Sequence, residues 1–445
     1  MIAVKLRDLL IAAAVLAVLL GVLYWSNHHQ PNQDTDRKES AEAPVNILSL
    51  NQMDIIRLTI RHKDLLPLTL SRNGSGVWQI TEPQALVADQ EMVSGVLSTL
   101  SSLRSERLIE DKASDLATYG LGVPSLDIRC TLKDNQTPKL LVGDQTPAGN
   151  AYYAMLAGDP RVFTIASFNK ASLDKTVNDL RDKRLLTADF DTVSQIELIS
   201  RKQGITLARV KDAWQILKPK PLRADANQVD ALVRTLREAK MDTSSGTDDA
   251  ENTAAFGVAS PLAIAKITSQ SGTQTLEVRK AKDVYYAKSS MLFGIYKVPA
   301  SVGTGLDKSL DDFLNKKLFD FGYQDPNKIE IHDGSQSYFL TRSGSDWWGP
   351  DGKKMDETTV QMLISKIRDL SAKKFPASGF TTPLLKLTVL SNDSKRVEKV
   401  LIAKNGETSI ARRENETALY EIPSSAVAEL QKAAANLKPA PEPKK

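Results

Sequence analysis

A chain of 445 residues exceeds what one hydrophobic core of about 100–200 residues accommodates, so two to four folded units are expected. Its 41% apolar and 25% charged residues are typical of a chain that folds over most of its length. The 58 basic and 54 acidic residues are interspersed, which argues against the one-sided basic surface of a nucleic-acid-binding protein.

The first distinctive stretch is an uncharged run at residues 9–25, which follows Lys5 and Arg7 and ends in Tyr24 and Trp25. Seventeen residues is close to the lower limit for a membrane span, and the Tyr-Trp pair suits the headgroup interface. A cleaved signal peptide is the alternative, but the sequence after the run lacks a small-x-small cleavage site. The pattern favours an uncleaved single-pass anchor with a cytoplasmic N-terminus and the rest of the chain across the membrane.

After a polar tether, the remaining sequence repeats one pattern three times. Alternating apolar residues predict antiparallel strands that lead to a tryptophan, then a proline, and six residues later an aspartate. The tryptophans are separated by 136 and 133 residues, a period that indicates domain-sized copies rather than a short solenoid unit. The repeated positions are Trp78, Pro83 and Asp89; Trp214, Pro219 and Asp225; and Trp347, Pro350 and Asp356.

Each aspartate is followed by apolar residues at offsets 4, 7, 8 and 11, which predict one buried helical stripe. An aspartate at that point is predicted to be the helix N-cap, because its carboxylate accepts free backbone N–H groups. A cation site formed by the three carboxylates is the alternative, but the N-cap accounts for the same residues without further assumptions. The stripes are Val93, Val96, Leu97 and Leu100; Val229, Leu232, Val233 and Leu236; and Val360, Leu363, Ile364 and Ile367.

Further repeated features follow each predicted helix. Gly120, Gly257 and Gly379 each precede a proline by four residues, and strand-like segments come next. Copies one and two are predicted to close with a helix ending at residues 183–185 and 316–318, so that the basic pairs lie at helix C-termini. The third closing helix is predicted at residues 424–437, and the Pro- and Lys-rich tail at 438–445 is predicted to be extended and disordered.

The predicted fold class is α+β: an N-terminal transmembrane helix followed by three tandem repeats, each an antiparallel sheet packed with helices. The predicted organisation is an anchor, a tether, two full repeats, a shortened repeat and a tail, at residues 1–26, 27–46, 47–188, 189–322, 323–437 and 438–445.

The polar residues offer little support for catalysis. His28, His29, His62 and His332 have no Ser or Cys partner in a recognisable motif, and the one cysteine, Cys130, reads as a buried strand residue. We therefore predict no catalytic residue, cofactor or metal site. Trp78 and Trp214 are predicted to pack in the core rather than stack on carbohydrate, whereas Trp348, in a compact Trp-Trp-Gly-Pro loop, is a possible interaction site.

The motifs resemble a bacterial family, domain of unknown function 4340. The resemblance rests on Trp78-Gln79-Ile80 with Pro83 and Asp89, and on Trp214-Gln215-Ile216 with Pro219 and Asp225. The third copy departs from it, with Trp347-Trp348-Gly349 in place of W-x-I and Met355 in place of alanine.

Members of that family are often encoded beside gliding-motility-type ABC transporters. The resemblance implies a non-enzymatic accessory or scaffold protein, held in the bacterial inner membrane by residues 9–25 with its bulk in the periplasm. Its expected partner is a membrane protein or envelope assembly. A periplasmic ligand-binding protein, with glycan as a candidate ligand, is the alternative. An envelope hydrolase has least support because polar catalytic constellations are missing.

Overall fold

The computed structural model of the chain describes residues 45–211, 213–243, 249–321 and 326–441. The predicted anchor at residues 9–25 lies outside these ranges, as does nearly all of the predicted tether. Within them, no helix is long and apolar enough to cross a membrane. The chain divides into two compact units, one ending at Asp182 and the other beginning at Lys183. The three predicted repeat boundaries remain predictions.

The first unit is a nine-stranded antiparallel sheet with the order β4-β3-β2-β1-β6-β7-β8-β9-β5. Three helices, α1 to α3, pack on its apolar face: Gln90–Ser101, Ser167–Leu173 and Val177–Leu180. Its strands β1 to β9 are Ile55–His62, Leu68–Arg72, Trp78–Glu82, Leu86–Val87, Arg107–Glu110, Leu126–Leu132, Lys139–Gln145, Ala151–Leu156 and Val162–Ala166.

The second unit contains two further antiparallel sheets. Eight strands form the first of these, in the order β13-β12-β11-β10-β14-β15-β16-β17. They are Gln195–Ser200, Gln203–Val210, Ala213–Lys218, Leu222–Arg223, Ser260–Ser269, Gly272–Ala281, Val284–Ser289 and Tyr296–Val298. Its helices α4 to α7 are Ala226–Arg237, Asp249–Val258, Ala300–Leu306 and Leu310–Phe313.

Seven strands form the last sheet, in the order β20-β19-β18-β21-β22-β23-β24. They are Lys328–Asp333, Gln336–Ser343, Asp346–Trp348, Leu385–Ser391, Arg396–Asn405, Thr408–Arg413 and Leu419–Pro423, and its helices α8 and α9 are Glu357–Asp369 and Ser424–Ala435. This sheet lacks the two-residue strand that follows Pro83 and Pro219 in the other two. The prediction of antiparallel sheets packed with helices is thus confirmed.

Each sheet buries one face because its apolar residues alternate with polar ones. In β1, Leu58 and Ile60 are fully buried while Arg57 and Arg61 point to the exposed side. Three hydrophobic cores result, one under each sheet. Within the second unit, Phe375 and Ala418 pack against the cores of both sheets and so connect the two hydrophobic cores.

After the last strand of each sheet, the chain returns to the aspartate that caps the helix of the same copy. The amide of Asp89 donates to the carbonyl of Leu180, that of Asp225 to Phe313, and that of Asp356 to Lys438. Each copy therefore closes on itself through the same backbone hydrogen bond, at 2.8 to 2.9 Å.

This closure corrects two predictions. The last helices of copies one and two end at Leu180 and Phe313, not at the basic pairs. The basic pairs instead lie in extended chain, where Arg184 bridges Lys240 and Lys317 bridges Ser371, because these backbones pair with the segment after the next helix. The tail is ordered as far as Ala440, whose amide donates to Lys354; residues 442–445 lie outside the described part.

Candidate functional site

The three repeated aspartates occupy helix N-caps, as their spacing predicts. Asp89 accepts hydrogen bonds from the amides of Glu91 and Met92 at 3.1 and 3.2 Å. Asp225 accepts from Asn227 and Gln228, and Asp356 accepts from Thr359. The carboxylates are thereby engaged with the helix ends, which is what a structural cap requires. All the predicted stripe residues face the cores, although Val233 is only partly buried.

The repeated tryptophans are core residues. Trp78, Trp214 and Trp347 keep 6%, 7% and 3% of their surface exposed. Each is connected to the helix that follows: Gln90 bonds the backbone of Trp78, the Trp214 indole donates to Asp230 at 3.2 Å, and Met355 donates to the carbonyl of Trp347. Pro83 and Pro219 follow cis peptide bonds; Pro350 does not.

The three repeated glycines do not share one local structure. Gly120 and Gly379 have positive φ angles of 67° and 108°, a conformation that disfavours side chains. A Cβ at Gly120 would meet the Asp144 carboxylate at 2.4 Å. Gly257 instead lies inside the helix Asp249–Val258 with nothing near its Cβ position. Its recurrence in the sequence therefore reflects no shared backbone requirement.

The remaining predicted positions are dispersed. Trp348 is half-buried and pairs with Thr341 in the β19–β20 ladder, and its proposed role in an interaction stays a prediction. Cys130 is buried in β6, where burial raises the pKa of its thiol to about 12. In the described residues, no group of three or more His, Cys, Asp or Glu side chains is arranged to hold a metal ion.

A cleft of about 760 Å³ lies in the second unit where its two sheets meet, and it is here called the junction cleft. Trp214 and Asp225 are the predicted positions that contribute to it. One wall comes from Arg209 on β11, from β12 and from the segment between Ala224 and Asp230 at the start of α4. The other comes from the chain between Leu314 and Asp320 together with Ser371 and Arg396.

Behind the cleft lies a group of polar and charged side chains, here called the ionic cluster, of which Glu398 and Tyr420 are buried and the others half-buried: Arg223, Asp320, Glu398, Arg413, Glu416 and Tyr420. Arg223 comes from the eight-stranded sheet, and its guanidinium pairs with Asp320 and donates to the carbonyl of Lys317. Its Nε also lies 3.5 Å from Glu416 and donates to the Tyr420 hydroxyl at 3.3 Å. This one side chain therefore links the two sheets.

Arg413 completes the ionic cluster from the seven-stranded sheet. Its guanidinium contacts Glu398 at 3.1 Å and Glu416 at 2.8 Å and donates to the carbonyl of Leu318 at 2.6 Å. Glu398, whose side chain is only 3% exposed, also accepts from the backbone amide of Asp320 at 3.0 Å. Every buried charge thus has an opposite charge and further hydrogen bonds, which is the condition for tolerating burial.

Titration behaviour reflects this arrangement. Burial acts to lower the pKa of Arg223, but the neighbouring Asp320, Tyr420 and Glu416 together raise it above its ordinary value. Burial, and the hydrogen bond that the Tyr420 hydroxyl donates to Glu416 at 2.6 Å, raise the tyrosine pKa to about 12. Both groups therefore keep the protonation states that they have at neutral pH: Arg223 is charged and Tyr420 is neutral.

A neutral version of the same network occurs at the equivalent place in the preceding sheet. There the amide of Thr187 donates to Gln274 at 2.8 Å, as Asp320 donates to Glu398. The Ser289 hydroxyl donates to the carbonyl of Leu185, as Arg413 donates to Leu318. Asp320, Glu398 and Arg413 of the third copy thus occupy positions that are neutral in the second copy. Arg223, which pairs with Asp320, is likewise charged where the first copy has the neutral Val87.

The ionic cluster was not predicted from the sequence. Its members lie up to 197 residues apart, so no local spacing brings them together. The available signal was a difference between copies: Arg223 occurs where the first copy has Val87, and Glu398 where the second has Gln274. Extending the copy-to-copy comparison beyond the matching residues would have marked these positions.

Three successive antiparallel sheets, each with a buried tryptophan strand and an aspartate-capped helix, define a tandem-repeat protein of mainly β structure. The chain belongs to the family described as Domain of unknown function (DUF4340), which matches residues 78–218 and 214–384. Each match begins at a repeat tryptophan, Trp78 or Trp214, and runs into the following copy. No curated protein and no solved structure matches the chain.

Proposed function

We propose that this chain is a non-enzymatic, membrane-tethered periplasmic scaffold protein that acts with an ABC-type transporter or another envelope assembly. The observation that carries the proposal is the ionic cluster, which joins the two sheets of the second unit through Arg223. Separating the two walls would leave charges of this network without their partners, so the network favours one spacing of the junction cleft. A preformed recognition surface of this kind suits a scaffold.

The charges of the junction cleft favour an acidic partner. Asp225 caps α4, Asp230 accepts from the Trp214 indole, and Asp320 pairs with Arg223 and with Asn315. These carboxylates are occupied within the protein. Of the cations that line the cleft, Lys317 makes no side-chain hydrogen bond or ion pair in the described residues, and Arg209 only covers the Trp214 ring. Positive charge is therefore left for a partner.

A small-molecule ligand is the second candidate, because a cleft of about 760 Å³ lies within the usual range for ligand pockets. A glycan would normally stack on an open aromatic face. The Trp214 ring is 7% exposed, and the Arg209 guanidinium lies 5.1 Å from its centroid. The cleft therefore lacks an open aromatic platform, which favours a protein partner over a sugar.

Site-specific photocrosslinking in intact cells tests the proposal. A photoreactive amino acid is placed at Asn227 or Lys317 in the cleft, and at Glu407, an exposed turn residue of the seven-stranded sheet, as the matched control. We expect the cleft positions, and not the control, to crosslink to a membrane subunit of a transport or envelope complex. Charge reversal by Arg209→Glu should reduce that yield several-fold.

The opposite outcome is equally clear. If the cleft positions give no protein crosslink while the purified full chain binds a defined sugar, and Arg209→Glu weakens that binding, the scaffold proposal is wrong. The ligand-binding alternative then replaces it.

A further inference from the structure

The open face of the first sheet carries a group of arginines that form no ion pair with any other residue that the structure describes. Arg57 and Arg61 lie on β1 on either side of Thr59, and all three line a depression of about 370 Å³. Arg129 on β6 lies directly opposite Thr59 in the ladder. Thr69, Ser71, Thr81 and Glu82 complete the lining of the depression, and Arg129 lies beside it rather than in its lining. We refer to this feature as the arginine pocket.

The three arginines are exposed, and within the described residues none of them makes a hydrogen bond, ion pair or ring contact. From ladder spacing, Arg129 is about 8 Å from each of the other two at Cα, and those two are about 13 Å apart. Arginine side chains span such distances. Like charges held together on one sheet face repel each other, so an unpaired cluster costs stability unless an anion occupies it.

The other two sheets neutralise the corresponding place. Glu197 occupies the position of Thr59 in the eight-stranded sheet and pairs with Lys266, directly opposite, at 3.3 Å. Glu330 occupies it in the seven-stranded sheet and pairs with Lys328 at 2.6 Å. The first sheet alone of the three has threonine there. The copies thus share the scaffold, and only the first leaves its cations available.

The charge balance indicates the kind of anion. Asp127 is already paired with Lys139 at 2.8 Å, so it does not neutralise the pocket. Glu82 accepts a hydrogen bond from the Thr69 hydroxyl at 2.6 Å and contributes one negative charge. Three arginines less one glutamate leave two positive charges. Inorganic phosphate or a phosphomonoester matches this excess, and a phospholipid phosphodiester neutralises half of it. The oxygens of either group accept from more than one guanidinium.

From these observations we propose that the arginine pocket binds a phosphate group, carried either by a soluble compound or by an anionic phospholipid headgroup. Arg57, Arg61 and Arg129 donate to the phosphate oxygens, and the Thr59 hydroxyl lies between them at the floor. The pocket lies wholly within the first unit and is independent of the junction cleft. Its occupancy therefore does not depend on the scaffold role proposed above.

The test titrates the full chain, in an uncharged maltoside detergent, with inorganic phosphate, with dihexanoyl phosphatidylglycerol and with zwitterionic dihexanoyl phosphatidylcholine. Isothermal titration calorimetry measures the binding. We expect phosphate, phosphatidylglycerol or both to bind, and phosphatidylcholine to bind at least tenfold more weakly. Binding of phosphate alone identifies a soluble ligand, and binding of phosphatidylglycerol alone identifies a lipid headgroup. Either supports the proposal.

The decisive variant is Thr59→Glu, because it rebuilds the arrangement of Glu197 and Glu330. It should weaken phosphate binding at least tenfold without loss of fold, and Arg129→Gln should weaken it several-fold. Thr388→Glu is the matched control: it adds the same charge at the position of Arg129 in the seven-stranded sheet and should leave binding unchanged. The proposal is overturned if neither phosphate nor phosphatidylglycerol binds, if Thr59→Glu binds as well as wild type, or if succinate binds more tightly than phosphate.

Discussion

Replacing Arg413 with serine tests whether the ionic cluster holds the second unit together. The guanidinium is 13% exposed, and its removal leaves the Glu398 carboxylate, 3% exposed, without its positive partner. Glu416 loses a contact of 2.8 Å, and the Leu318 carbonyl loses a donor. Breaking a buried ion pair in this way costs about 3–5 kcal/mol, more than the pair contributed, because an uncompensated charge stays buried.

Hydrogen exchange followed by mass spectrometry of the full chain measures this cost locally. Peptides from β22 and β23 should exchange on the order of 10² to 10⁴ times faster in Arg413→Ser, whereas peptides from β1 and β6 in the first unit should not change. The double variant Arg413→Ser with Glu398→Gln is the internal control, since it recreates the neutral pair formed by Ser289 and Gln274. It should recover most of the lost protection.

Two results would refute this reasoning. If exchange in Arg413→Ser rises by less than about tenfold, solvent already stabilises the charges of the ionic cluster. A double variant no better protected than Arg413→Ser would mean that the cost comes from lost packing and not from the unpaired Glu398 carboxylate.

Three further predictions concern single positions. In urea unfolding, Gly257→Ala should be neutral or stabilise the protein by up to about 1 kcal/mol, since Gly257 is helical with open space at its Cβ position. Gly143→Ala should destabilise it by about 1–3 kcal/mol, because its Cβ would lie 2.1 Å from the Tyr119 carbonyl. Equal effects of the two variants would contradict these two backbone environments. Cys130, with its pKa raised to about 12, should resist iodoacetamide at pH 8 until the protein unfolds, so rapid labelling of native protein would be inconsistent with burial. Burial acts to raise the pKa of Asp174, but Lys170 and His62 outweigh it, so the pKa lies below its ordinary value of 3.8. The ionised Asp174 therefore stabilises the fold above pH 3.8, and this stabilisation is lost as the pH falls through the lowered pKa. Asp174→Asn should thus destabilise at pH 7 and match wild type at the acid end of a pH series of thermal melts; a constant difference would exclude titration of this group.

The sequence by itself determined the features that depend on near neighbours. The aspartate caps and apolar stripes were predicted because a helix brings together residues within eleven positions of each other. The predicted strand period of two also holds along most of β1, where the buried Leu58 and Ile60 alternate with the exposed Arg57 and Arg61. Comparison of the copies then revealed the repeat, because the same local pattern recurs three times.

The local sequence pattern predicted the wrong secondary structure where backbone pairing with distant residues determines the conformation. The basic pairs at 183–184 and 316–317 were predicted at helix ends, since cations suit that position. In the structure those residues are extended, because their backbones bond to the segments that follow α4 and α8. Gly257 likewise matched Gly120 in sequence yet lies within a helix. The competing interactions come from residues about 55 positions away or more, which no local window contains.

Both candidate sites were decided by tertiary structure alone. Arg223 reaches Asp320 and Tyr420, 97 and 197 residues further along the chain, only because two sheets pack edge to edge in the second unit. Arg129 joins Arg57 and Arg61 only through the register of β1 against β6. Sequence periodicity assigns a side chain to a face of its element, whereas the pairing of distant elements decides which charges meet there and which are left without a partner.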